Sequence, residues 1–231
     1  YNFLSQLPVI ATSNHLNLTI NMAKKVAEQL VDTLIEAGVR RIYAVTGDSL
    51  NEVNEAVRQN EAMKWIHVRH EETGAYAAGA EAQLTGLPGC CAGSSGPGHV
   101  HLINGLYDAH RSGAPVIAIA STIPTGEFGT EYFQETNTVK LFNDCSFYNE
   151  VATTPEQFPR MLQSALQTAT TRKGVAVVGL PGDLAKASAV SVDSSVRNYF
   201  TRPEVCPSEE DLILLADLLN SHERITLFCG I

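Results

Sequence analysis

WIHVRHEETGAYAAGAEAQ, Trp65 to Gln83, is the stretch whose reading decides the fold. Its first four residues, Trp65-Ile66-His67-Val68, are strand-like. A charged turn follows, Arg69-His70-Glu71-Glu72, and a run of small helix-forming residues begins at once. A short strand that hands over directly to a helix is part of a βαβ unit. Open α/β sheets bind their ligands at the rim where strands end. Glu71 therefore stands where such a fold would do its chemistry.

Working outward, the same alternation repeats. Ala23–Ala37 has the helical period, with Val26, Leu30, Val31, Leu34 and Ile35 on one face and charged residues on the other. Gly38 is a suitable stop. Arg41–Val45 is a strand, Thr46-Gly47-Asp48-Ser49 a turn, and Asp48 or Ser49 a candidate cap for a helix over Leu50–Gln59. Lys64–Val68 is the next strand and Glu72–Leu84 the next helix.

Cys90–Ser94 is a strand of small residues, Gly96-Pro97-Gly98 a loop, and Val100–His110 a helix. Pro115–Ala120 and Gly174–Leu180 are continuously apolar, as in a parallel sheet covered on both faces. Between them lie a loop (Ile123–Glu135), a short helix (Thr138–Asn143), a strand (Ser146–Val151) and a helix opened by Thr153-Thr154-Pro155-Glu156. The expectation is an α/β fold with a doubly wound parallel sheet.

Four domain segments are expected. Residues 1–21 read as an extension ahead of the fold, with Met22 a natural start. Residues 22–187 form the α/β domain. Residues 188–207, rich in Ser and Val with two prolines, form a linker. Residues 208–231 begin a second α/β domain, with a helix over Asp211–Leu219 opened by Ser208-Glu209-Glu210 and a strand over Arg224–Cys229. A lone helix and strand cannot bury a core, so this second unit reads as truncated.

Bulk properties exclude some functions. The 231 residues carry a formal net charge of -9, and no basic cluster exceeds two residues. That argues against a nucleic-acid partner. Apolar runs such as VIAIA are far short of a membrane span, which needs roughly 18–20 residues. Five cysteines with no C-x-x-C pair read as buried free thiols in a reducing, cytoplasmic setting.

The residues by themselves leave several alternatives open. Glu71 is either a working carboxylate or an acid favoured by the helix dipole, and Glu72 fits the second description better. His67 and His70, three apart across a strand end, point to opposite faces and do not suggest a metal site. Gly93-Ser94-Ser95-Gly96-Pro97 is a near miss for the G-x-S-x-G nucleophile elbow, because Pro97 stands where Gly is required. His99 and His101 read as helix N-terminal residues, solvated or capping. Neither glycine-rich loop matches a phosphate motif.

Five ordered motifs carry a resemblance: AVTGDSLN (44–51), RHEETGAYAAGAEAQLTG (69–86), GSSGPGHVHLINGLYDAHRSGAPVIAI (93–119), YFQET (132–136) and LPGDLA (180–185). From about Ala23 onward the chain resembles the N-terminal, pyrimidine-binding domain of thiamine-diphosphate enzymes. Within that family it is most similar to pyruvate oxidase and the quinone-linked pyruvate dehydrogenase of bacteria.

The resemblance implies thiamine diphosphate as cofactor and Glu71 as the glutamate that hydrogen-bonds N1′ of its aminopyrimidine. It implies that Gly47, Asp48, Gly96, Pro97 and Gly98 line the cofactor and that Phe133 and Gln134 reach the substrate. The small-residue helix behind Glu71 (Ala75, Ala77, Ala78, Ala80) would pack closely against its neighbours. The implied activity is oxidative decarboxylation of pyruvate, with electrons passed to flavin and then to oxygen or a quinone. Acetolactate synthase-like carboligation of 2-oxo acids is the enzymatic alternative, and a non-catalytic cofactor-binding or interaction domain is the other.

In such enzymes Mg2+ and the diphosphate sit on a domain marked by a GDG…N motif, which does not occur here. FAD likewise belongs to a further domain. No metal ligand is therefore expected in this chain. A homo-oligomer, dimer or tetramer, is implied because the family builds its site between subunits. Membrane contact would come only through a further C-terminal region in a quinone-linked enzyme.

Overall fold

A computed structural model describes residues 24–190 and 204–228 of the chain. The expectations for Tyr1–Asn21, most of the 188–207 linker and the last three residues lie outside them.

The domain opens with α1 (Val26–Glu36), whose buried stripe Val26, Ala27, Leu30, Val31 and Leu34 matches the periodic reading. There follow β1 (Arg41–Ala44), α2 (Asn51–Arg58), β2 (Lys64–His67), α3 (Glu71–Thr85) and β3 (Gly89–Gly93). Next come α4 (Pro97–Val100), α5 (Ile103–Arg111), β4 (Val116–Thr122), α6 (Thr138–Leu141) and β5 (Tyr148–Val151). The unit closes with α7 (Phe158–Arg172), β6 (Val175–Pro181) and α8 (Gly182–Lys186).

The six strands form one sheet in the order β2-β1-β3-β4-β6-β5. Every pairing is parallel. Alternation along the central strands sends residues to two separate cores. Cys90, Ala92, Ile117, Ile119, Ala176, Val178 and Leu180 meet α1, α2, α7 and α8 on one face. Cys91, Val116, Ala118, Ala120, Val175 and Val177 meet α3 and α5 on the other. The sheet is thus doubly wound, and its strands are apolar on both sides because both sides are dry.

From β1 the chain steps one way to β2, and from β2 it crosses back over β1 to β3. The helices after β1 and β3 therefore leave on opposite faces. The carboxyl ends of these two neighbours mark the topological switch point, where doubly wound sheets take ligands.

Close packing of α3 and α5 fixes the angle at which α3 delivers its N-terminus. Its buried face is Gly74, Ala75, Ala78, Gly79 and Ala82. A Cβ on Gly105 of α5 would stand 2.6 Å from the Ala75 Cβ and 2.8 Å from the Tyr76 nitrogen. The helices touch because neither carries bulk there. Of the four alanines expected at this contact, Ala75 and Ala78 are buried, Ala77 is half-buried and Ala80 is exposed. Two glycines complete the face, because the helical stripe advances by three and four residues.

Four local expectations are corrected. Glu71, placed in the turn, is the first residue of α3, with His70 as N-cap. Gly96-Pro97-Gly98, read as a loop, is partly helical: Pro97 opens α4, since its fixed φ suits the first helical turn. The long helix begins at Phe158, after a turn in which Thr153 bonds the Gln157 side chain instead of capping directly. Arg224–Phe228 is not a strand, although α9 (Glu209–Asn220) forms with Ser208 as its cap. A strand needs a partner for its backbone groups, and these five residues are exposed and unpaired by any strand among the described residues. No helix among the described residues is long and apolar enough to cross a membrane.

Candidate active site

Three loops at the switch-point edge are tied together through Ser49. Its hydroxyl accepts the Ser95 N–H at 2.9 Å and shares a 3.0 Å hydrogen bond with the Ser94 hydroxyl. The Ser121 hydroxyl, at the end of β4, donates to the Ser49 carbonyl at 2.7 Å. Ser49 does not cap α2, for which no side-chain cap forms. Its hydroxyl is occupied by the neighbouring loop. Gly47 makes this closure possible, since a Cβ there would lie 2.4 Å from both the Cβ and Oγ of Ser94.

Gly96 carries φ +69° and is the N-cap of α4. A side chain there would be strained and would also strike Gln134, whose Cβ is 2.7 Å from the position a Gly96 Cβ would take. The Ser95 hydroxyl donates to the Gln134 side-chain oxygen at 3.3 Å. The distant FQE segment is thus folded over the GPG turn. Gln134 itself has φ +66°, an uncommon conformation for a non-glycine residue.

His99 holds the other end of that segment. It is fully buried, against the expectation of a solvated or capping residue. Its Nδ1–H donates to the Ser121 carbonyl at 2.8 Å, and Nε2 accepts from the Thr136 hydroxyl. Burial lowers its pKa, with the Ser121 hydrogen bond acting weakly the other way. A histidine that is harder to protonate folded than unfolded makes the folded state lose stability as pH falls below about 6.5, the ordinary histidine value. Urea unfolding at pH 7.5 and pH 5.5 is expected to give the lower stability at pH 5.5. H99N, which keeps the donor toward Ser121, is expected to show a smaller difference.

With both ring nitrogens of His99 engaged, it offers no base to Ser95, and the serine-hydrolase alternative has no support in this geometry.

Glu71 enters this edge at the first turn of α3 and is buried. Its two oxygens are differentiated. Oε2 accepts from His101 Nδ1 at 3.0 Å, and Oε1 lies 3.4 Å from where a Gly98 Cβ would be. Gly98 is itself buried, so the floor beneath Oε1 is bare backbone. Glu72, by contrast, receives a 2.6 Å hydrogen bond from the Asn104 side chain on α5. The two adjacent acids are separated by what they touch: Glu72 clamps two helices, while Glu71 faces the glycine turns.

The expected residues are thus brought together at one edge. Ser94 lies against Gly47 and Gly98, Glu71 lies against Gly98, and Ser95 bonds Gln134, which lies against Gly96. Pro97 is exposed at the start of α4. Asp48 and Phe133 are exposed side chains on the loops after β1 and β4, Phe133 at 81%. Ser49, His99 and His101 are the residues that sequence reasoning under-read. Nothing local distinguishes them, since each acts on a residue at least 22 positions away.

A doubly wound parallel domain with a buried carboxylate over glycine turns at its switch point belongs to the ligand-binding class of α/β folds. The chain belongs to the thiamine pyrophosphate enzyme family: residues 24–141 match its N-terminal TPP binding domain. It is 50% identical over 207 residues to the uncharacterized 42.6 kDa protein in isoamylase 3′region of Pseudomonas amyloderamosa, covering 89% of this chain and 52% of that protein.

It is 36% identical over 197 residues to pyruvate oxidase of Lactiplantibacillus plantarum, covering 84% of this chain and 33% of the relative. With the chloroplastic acetolactate synthase of Arabidopsis thaliana the identity is 30% over 211 residues, covering 90% of this chain and 32% of the relative. The chain thus spans about half or less of the length of these curated relatives.

Proposed function

We propose that this chain is the pyrimidine-binding part of a larger thiamine-diphosphate enzyme that decarboxylates pyruvate oxidatively, passing electrons to a flavin. The observation that carries the reading is the carboxyl group of Glu71: buried, at a helix N-terminus, with one oxygen restrained by His101 and the other over Gly98.

The residues fit the group. An aminopyrimidine is flat and needs a carboxyl partner for one ring nitrogen, together with walls that allow close approach. Glu71 supplies the first through Oε1. Gly47, Gly96 and Gly98 supply the second, with Asp48 and Pro97 at the edges. When bound, thiamine diphosphate acts as the electron sink that lets a 2-oxo acid lose carbon dioxide. Glu71 holds and shares the proton at N1′, which tunes the basicity of the neighbouring amine. Burial keeps water from competing for that proton.

Gln134 offers an amide to a substrate carboxylate or carbonyl, and Phe133 offers an apolar wall. FAD, Mg2+ and the diphosphate are assigned to other parts of the whole protein. Its assembly is a homo-oligomer in the cytoplasm, and residues 208–231 begin the next domain. The similarity to pyruvate oxidase, at 36% identity, favours this reading.

Carboligation is the second reading, favoured by the similarity to acetolactate synthase over 90% of the chain. Product analysis of the whole protein supplied with pyruvate separates the two. Acetate or acetyl phosphate with reduced flavin is expected, and acetolactate would overturn the oxidase reading.

A further inference from the structure

His101 does more than border Glu71. Its Nδ1 lies 3.0 Å from Glu71 Oε2, and the two residues are 30 positions apart, one opening α3 and the other capping the end of α4. The Glu71 side chain is 11% exposed and that of His101 44%, so the contact joins an enclosed oxygen to a ring with an outer edge in solvent. The His70 ring stacks on His101 with centroids 4.5 Å apart and an interplanar angle of 25°. His70 is immobilised in turn, because its Nδ1 accepts the Glu72 N–H at 3.3 Å as the N-cap of α3. A chain of restraint therefore runs from the helix cap through a stacked ring to one oxygen of the buried carboxyl group.

We propose that His101 is a positioning residue for Glu71: its Nδ1–H donates to Oε2, fixes the carboxyl plane, and leaves Oε1 as the oxygen presented over Gly98. This rests on the role of Glu71 given above. Of the two neutral tautomers the imidazole takes the Nδ1–H form here, because only that one donates to a carboxylate through Nδ1. His70 holds the opposite tautomer, since its Nδ1 must accept from a backbone N–H.

The donor atoms of His70, Glu71 and His101 lie within 4.8 Å of one another, a spacing compatible with a divalent cation. Two features weigh against that use. The Nδ1 lone pair of His70 is committed to the helix cap. The two rings are also nearly parallel, so their in-plane lone pairs do not converge on one point.

The tautomer can be read directly by long-range 1H–15N NMR of the protein labelled at histidine, at a pH where the rings are neutral. His101 is expected in the Nδ1–H form in the wild type and in a mixture of tautomers in E71A. An Nε2–H form in the wild type would overturn the proposal. So would micromolar Zn2+ shifting the His70 and His101 resonances together.

In the whole protein, H101L is expected to lower kcat by roughly 10-fold or more while changing the affinity for thiamine diphosphate little. H101N is expected to restore most of that loss, because the Asn amide places a donor near the Nδ1 position. An H101N as impaired as H101L would overturn the positioning role. These readouts are separable from the role of Glu71: full activity in E71Q sinks the function proposed for Glu71, whereas the tautomer reports only on the His101–Glu71 contact.

Discussion

Glu71→Gln in the whole protein is expected to reduce turnover by on the order of 10²–10⁴-fold, the range for removal of a positioned proton-transfer group. The fold is expected to survive. Gln is nearly isosteric with Glu, and its side-chain oxygen can still accept from His101 Nδ1. The exposure of the Glu71 side chain, 11%, leaves little room for rearrangement. The stability term lost is the carboxylate's interaction with the helix N-terminus, about 0.3–1 kcal/mol for a single acid. Turnover with pyruvate and chemical denaturation, measured on the same preparation, check both parts. Near-normal turnover would remove Glu71 from the chemistry. A collapse of stability would instead make it a structural acid.

Gly98→Ala is expected to weaken thiamine diphosphate binding by roughly 5- to 150-fold while the domain stays folded. The added methyl would stand 3.4 Å from Glu71 Oε1 and 3.1 Å from the Ser94 Cβ. Both contacts are tight but short of a clash, so the protein accommodates the methyl by small shifts. A flat ring that must approach Oε1 meets it directly. Inserting a methylene-sized group into a filled space costs about 1–3 kcal/mol, which converts to that range of affinity at 1.4 kcal/mol per decade. Calorimetric titration of the whole protein with thiamine diphosphate measures it. Gly126→Ala is the control, since a Cβ there would have no neighbour within 4 Å. Unchanged affinity in G98A would place the pyrimidine elsewhere.

Much of the fold was legible because the decisive signals are local. The continuous apolar runs read at Pro115–Ala120 and Gly174–Leu180 correspond to β4 and β6, which are buried throughout, as strands covered on both faces must be. The amphipathic period of α1 and the Ser208 cap of α9 act within one or two helical turns. Errors fell where a local signal competes with a tertiary one. Ser49 has the chemistry of a helix cap, but its hydroxyl is taken by Ser94 and Ser95. His99 has the position of a solvated helix end, but the Ser121 carbonyl and the Thr136 hydroxyl enclose it. Arg224–Phe228 has strand-like composition, but composition cannot supply the neighbour a strand requires.

The sequence by itself determined the succession of strands and helices, the place of Glu71 where the second strand hands over to a helix, and the family, through motifs that keep their order along the chain. These are properties of adjacent residues: periodicity, capping chemistry and turn-forming glycines. The resemblance singled out Glu71 over Glu72, and only the tertiary structure decided what each of the two acids touches. The rotation of α3 is set by its contact with α5, where Gly105 admits Ala75. That angle turns Glu72 to Asn104 and Glu71 to His101. Neither pairing is encoded within a few residues of RHEE. Both arise because the chain crosses back over β1, which brings the ends of β1, β2, β3 and β4 to one edge.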